Sequence, residues 1–186
     1  MRSRAVSDLS LYEQVLGANY AQLPLAVQRF HRLGGRVVLQ GGVETDAPSS
    51  ALARVLAYCL GTPRAASSGP LRFELDAGPA LECWTRHFPA QTMTSRLRVV
   101  NGQIEEQLGA ARLTFDLAIA DGALKMVLSR MRFLGIRCPR WLMPQIVAEE
   151  SGDADQLHFN IVAALPLVGV VASYRGQLQC SEKVMS

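Results

Sequence analysis

From Leu71 to about Leu178 the apolar residues change from a helical to an alternating period, and this switch constrains the fold more than any other feature of the chain. Turn signals punctuate the alternating stretch at Ala77-Gly78-Pro79, Asn101-Gly102, Asp121-Gly122 and Ser151-Gly152-Asp153. Strands separated in this way are joined by hairpins and pair antiparallel in sequence order. The clearest is Leu113 to Ile119, where Leu113, Phe115, Leu117 and Ile119 alternate with Thr114, Asp116 and Ala118. Its partner is expected from about Leu124 to Phe133, across the Asp121-Gly122 turn. Arg137 to Pro144 holds two prolines together with Trp141 and Met143. It cannot be a central strand and is expected to be a loop or short helix over an end of the sheet.

Before the switch the pattern is helical. Ser10 followed three residues later by Glu13 forms a capping box ahead of Leu11, Val15 and Leu16, and Gly17 ends that helix. Pro24 to Leu33 places Val27, Phe30 and Leu33 on one face and stops at Gly34-Gly35. Arg36 to Glu44 reads as a strand in which Gly41-Gly42 marks a bulge or a close backbone approach. A third helix follows Ser50, with Leu52, Val55, Leu56, Cys59 and Leu60 as its apolar stripe and Gly61 and Pro63 at its end. The expected class is therefore α+β, with three short N-terminal helices packed on a large curved antiparallel sheet. Curling into a half-barrel or barrel would protect both the edges and the second face. One domain is expected over residues 11–178, with flexible ends at 1–10 and 179–186.

A chain of 186 residues with 49% hydrophobic residues can bury a sizeable core. The net charge of +3 is carried almost wholly by arginine, with lysine only at Lys125 and Lys183, and it is spread along the chain. That excludes a lysine-rich nucleic-acid footprint. Cys59, Cys83, Cys138 and Cys180 stand apart from one another and from any histidine at ligand spacing, so they read as reduced thiols and no metal is expected. The first residues lack an apolar signal-peptide core, and Ile161 to Ala172, broken by Pro166 and Gly169, is too short to span a bilayer. A cytoplasmic location and no transmembrane segment are the resulting expectations. No GxGxxG, GxxxxGK[ST], GxSxG or HExxH motif is present, which argues against a nucleotide enzyme or zinc hydrolase, and no cofactor is expected.

The segment Leu81 to Phe88 holds the most informative constellation. Alternation puts Glu82, Trp84, Arg86 and Phe88 on one face. Trp84 and Phe88 could bind an apolar body while Arg86 fixes an anionic or carbonyl end. An Arg86 to Glu82 ion pair with aromatic cross-strand packing explains the same residues structurally. His158 shares a face with Asn160, opposite Leu157, Phe159 and Ile161, and points either into a cavity or to solvent. Glu105-Glu106 and Glu149-Glu150 supply acid or base groups only if buried. Arg130, Arg132, Arg137 and Arg140, interleaved with Met131, Phe133, Trp141 and Met143, suit an anionic ligand, a lipid headgroup or an acidic partner. A solvated rim explains them as simply.

Leu11-Tyr12, Leu23-Pro24, Trp84-Thr85-Arg86-His87-Phe88, the Gly109 segment after Glu106, Leu165-Pro166-Leu167-Val168-Gly169 and Tyr174-Arg175-Gly176-Gln177-Leu178 together resemble the bacterial family called domain of unknown function 4166. The resemblance covers Leu11 to Leu178 and departs at Gln177, where that family carries a bulky aromatic. It implies no catalytic residues. Because members can be fused to dinucleotide-binding oxidoreductase-like domains, it suggests an oxidoreductase as partner. The reading carried forward is a domain binding a small, largely apolar or amphipathic molecule, with Trp84, Arg86 and Phe88 on the pocket wall and His158 and Tyr174 supplying polar contacts. The alternatives are a cofactor-independent isomerase, cyclase or hydrolase using a buried glutamate or His158 as base, and an accessory domain docking on a partner enzyme.

Overall fold

A computed structural model describes residues 9–153 and 155–180. Of the two ends expected to be flexible, residues 1–8 and 181–186 lie outside the described residues, while Ser10 caps the first helix and Gln179 ends the last strand.

The chain begins with α1 (Leu11–Leu16), a 3-10 turn over Gly17–Gln22, and α2 (Leu25–His31). The Ser10 hydroxyl accepts from the Glu13 amide while the Glu13 carboxylate accepts from the Ser10 amide, which is the capping box expected from the sequence. Strand β1 (Gly35–Thr45) leads to α3 (Ala51–Leu60) and then to β2 (Ser67–Ala77), β3 (Glu82–His87) and β4 (Thr92–Val100). There follow β5 (Gln103–Leu108), β6 (Ala111–Ala120), β7 (Ala123–Phe133) and the two-residue β8 (Ile136–Arg137), and then a 3-10 turn over Arg140–Leu142. The chain continues through β9 (Gln145–Gly152), β10 (Gln156–Leu165) and β11 (Gly169–Gln179).

The sheet is antiparallel and closed. β1 pairs with both β2 and β11, and β7 pairs with both β6 and β9, so ten strands form a ring to which β8 is appended. Closure abolishes free edges, which is the physical reason so long a sheet is stable. At the β1–β11 junction, a methyl group on Gly41 would sit 1.7 Å from the Gln177 carbonyl oxygen, so this glycine marks a close backbone approach. The inward alternation expected for Leu113 and Phe115 is present, with a register shift between Thr114 and Phe115.

The helices are not laid side by side on one face of the sheet. α1 and α2 plug one end of the barrel, driving Leu11, Tyr12, Val27 and Phe30 into a core with Leu39, Leu75, Trp84 and Leu97. α3 covers the opposite end, where the Cys59 carbonyl accepts from the Ala110 amide and the Ser50 hydroxyl donates to the Val168 carbonyl. Its buried face also differs from the expected stripe. Ala53 and Ala57 are fully buried against Val171, Leu56 and Leu60 flank them, and Leu52 and Val55 are 55% and 59% exposed. Small side chains let the helix axis approach the strand closely, and this outweighs the gain from burying larger residues. No helix among the described residues is long and apolar enough to cross a membrane.

Candidate functional site: a cavity beside a short strand pairing

The ten junctions of the ring differ in length, and among the described residues the ladder between β7 and β9 is the shortest. β7 pairs with β9 through Leu124 with Glu150 and Lys125 with Glu149, and the ladder stops there. Met126 and Met131 on β7, Ile146 and Ala148 on β9 and Pro144 just before it line a cavity of about 100 Å³. A water needs roughly 10–15 Å³ in such terms, so the space holds several waters or a small organic body. Leu97, Leu108, Leu113, Phe115, Ile161 and Ala163 make most of the wall apolar. Into this surface project the Arg86 guanidinium, the Tyr174 phenol and the Glu106 carboxylate.

Arg86 is 8% exposed, and its Nη1 donates to Ser95 Oγ at 3.1 Å. Its guanidinium carbon lies 5.0 Å from the Trp84 ring centroid and 5.5 Å from that of Phe73, two cation–π contacts with rings that are edge-on to each other. No carboxylate comes within ion-pairing distance of it among the described residues. The Arg86 to Glu82 pair allowed by the sequence is not formed. Glu82 Oε2 instead accepts from Trp84 Nε1 at 2.9 Å, because the plug end of β3 buries both groups together. That burial raises the Glu82 carboxyl, against the opposing effects of His31 and the Trp84 hydrogen bond.

Of the residues picked from the sequence, the structure brings Trp84, Arg86 and Tyr174 onto one wall. Tyr174 is 8% exposed, and burial pushes its hydroxyl up to about 12, with Arg86 opposing and Glu106 and Glu150 adding to the rise. Phe88 is buried but stands behind this wall, edge-on to the Tyr174 ring at 5.5 Å. His158 is not brought to the cavity. It lies half-buried on the outer face of β10, because Leu157 and Ile161 take the inward positions of that strand. Of the acidic pairs, Glu106 lines the cavity while Glu105 is bonded to Arg98, and Glu149 and Glu150 both line it, Glu149 also pairing with Lys125.

The barrel floor was not anticipated from the sequence. His31, on α2, places Nε2 2.6 Å from Glu150 Oε2 and stacks on Tyr12 at 3.6 Å between ring centroids. The Tyr12 hydroxyl donates to Met126 Sδ at 3.8 Å, and burial, then Glu150 and Glu82, holds that phenol well above the usual range. The available signal was spacing, since His31 follows Val27 by one helical turn and therefore shares its buried face. No group of three metal-ligating side chains exists among the described residues.

A family model described as "Domain of unknown function (DUF4166)" matches residues 23–178. Among solved structures, the chain is similar to one titled "Crystal Structure of Rv2717c from M. tuberculosis", with a TM-score of 0.44 and 12% sequence identity over 84% of this chain and 98% of that one. No curated protein matches.

Proposed function

This chain belongs to the DUF4166 family, a domain of unknown function, and from that premise we propose that it binds one small, largely apolar molecule inside the barrel. The observation that carries the reading is the pairing of an apolar cavity with a buried arginine that has no carboxylate partner in the described chain. A buried charge is costly to leave without a counter-charge, so a ligand bearing a carbonyl or acidic group against Arg86 would supply the partner that the described chain does not. Met126 and Met131 on β7 and Ile146 and Ala148 on β9 line the cavity beyond the short β7–β9 ladder, where fewer backbone hydrogen bonds hold the wall together. Site depth and wall chemistry fit a binding cavity, in which a few polar groups orient an otherwise apolar body.

Mass spectrometry of organic extracts from purified protein tests the proposal, paired with titration of an apolar fluorescent probe. The extract is expected to hold a retained small molecule, or the probe to bind at one site and lose it in Ala148→Trp, which fills the cavity. Probe binding unchanged by Ala148→Trp, with no molecule in the extract, would overturn the reading.

A further inference from the structure

Two leucines stand at turn tips in a backbone conformation that leucine rarely adopts. Leu134, between β7 and β8, has φ 50°, and Leu167, between β10 and β11, has φ 64°. Bulky residues avoid the left-handed region, which glycine and asparagine fill readily. Both side chains also point outward, Leu134 being 73% and Leu167 104% exposed. Neither apolar side chain is buried by the fold, and the left-handed backbone gives leucine no local advantage, which leaves these side chains available to something outside the chain.

The two tips lie at the same end of the barrel. The Leu134 amide donates to the Ala110 carbonyl at 2.9 Å, the Ala110 amide to Cys59 at the end of α3 at 3.0 Å, and Ser50 at the start of α3 to Val168 at 2.8 Å. Between the tips stand Ile136, 75% exposed, and Trp141, 73% exposed. Arg132, Arg137 and Arg140 are exposed among them and form no ion pair within the described residues. From Gly122 through Ala148 the chain has no aspartate or glutamate. The carboxylates near this end, Glu44 and Asp46, are engaged by Arg175 and Ser173.

We infer that this end of the barrel docks on the surface of an anionic lipid bilayer. Leu134, Ile136, Trp141 and Leu167 enter the headgroup layer, and Arg132, Arg137 and Arg140 lie against lipid phosphates. Separate protruding tips fit a fluid surface, whereas a folded partner would call for a continuous complementary face. Charge complementarity selects an anionic surface over a neutral one. This inference does not depend on the cavity having a ligand, although docking would bring the cavity-lining Met131 and Pro144 close to the bilayer.

Co-sedimentation of the full chain with vesicles decides the matter, using phosphatidylcholine alone and an equal mixture of phosphatidylcholine with phosphatidylglycerol. Binding is expected to the mixture and to weaken with added salt. Removing one arginine, as in Arg137→Gln, should lower the partition coefficient about fivefold. Leu134→Asn and Leu167→Asn suit the left-handed backbone, so they keep the fold while lowering partition about tenfold each. Leu25→Ser, at the plug end, serves as the control and should change nothing. The inference is overturned if the protein stays in the supernatant with both vesicles, if it binds both equally, or if the asparagine variants sediment like the wild type. It is equally overturned if Leu25→Ser weakens binding as much as they do.

Discussion

Glu82 Oε2 accepts a hydrogen bond from Trp84 Nε1 at 2.9 Å, two positions along the same inward face of β3 and within reach of the plug helices. The carboxylate is buried, and its folded-state value is raised above the ordinary one. A raised carboxyl means that the folded state holds its proton more tightly than the unfolded state. Stability from this group is therefore full below the ordinary carboxylate range and declines as pH rises through the raised value. Comparing urea unfolding of the wild type and Glu82→Gln from mildly acidic to mildly alkaline pH should show the variant with a flatter decline. Parallel curves would refute the assignment.

Arg86→Met keeps most of the packing against Trp84 and Phe73 while removing the charge. The variant is expected to stay folded by circular dichroism. Its affinity for an anionic apolar probe such as anilinonaphthalene sulfonate should fall by about 1.5–3 kcal/mol, the range of hydrogen bonds to charged groups. A neutral probe of similar shape should lose far less.

Phe30 packs edge-on against Phe73, Trp84 and His31 and is 2% exposed. Phe30→Ala should cost about 3–5 kcal/mol, because it empties the joint between α2 and the barrel wall. Chemical denaturation measures this directly, and a cost under about 1 kcal/mol would mean that the plug is not part of the cooperative core.

Two glycines should respond in opposite ways. Gly41→Ala would force a methyl group onto the Gln177 carbonyl, a backbone atom with no rotamer to yield, and is expected to cost more than about 3 kcal/mol or to prevent folding. Around Gly34 nothing lies within 4 Å, so Gly34→Ala should change the melting free energy by no more than about 1 kcal/mol in either direction.

Cys59, Cys83, Cys138 and Cys180 are all unbridged. Thiol titration of the unfolded, unreduced protein should count all four, while in the native protein Cys180 should react slowest, since it is buried and burial raises its thiol. Native Cys180 reacting as fast as the others would show that the end of β11 opens readily.

Much of this architecture was legible because it is written locally. The Ser10 and Glu13 capping box, the Asp121-Gly122 hairpin and the stop at Gly61 each depend on a few adjacent residues, and each forms where expected. Trp84, Arg86 and Tyr174 converge because alternation fixed which face each occupies. What escaped the sequence depends on distant register or on size. Ser95 reaches Arg86 only because β3 and β4 pair Trp84 with Ser95. Glu150 meets His31 only because α2 is pushed into the barrel. The α3 stripe was read by hydrophobic bulk, whereas the contact with Val171 selected the small Ala53 and Ala57. His158 was ambiguous because one strand in isolation does not declare which of its faces is inside.

The pairing of β1 with β11, Gly41 opposite Leu178, joins segments 137 residues apart in a chain of 186. During synthesis on a ribosome, β1 leaves the exit tunnel early and must wait with one side unpaired until β11 has been made. Its ladder to β2 can form in the meantime, but the ring cannot. The closing step therefore carries the entropy of a very long loop, which predicts slow final assembly and an interval in which the nascent sheet offers an open edge to chaperones or to other nascent chains.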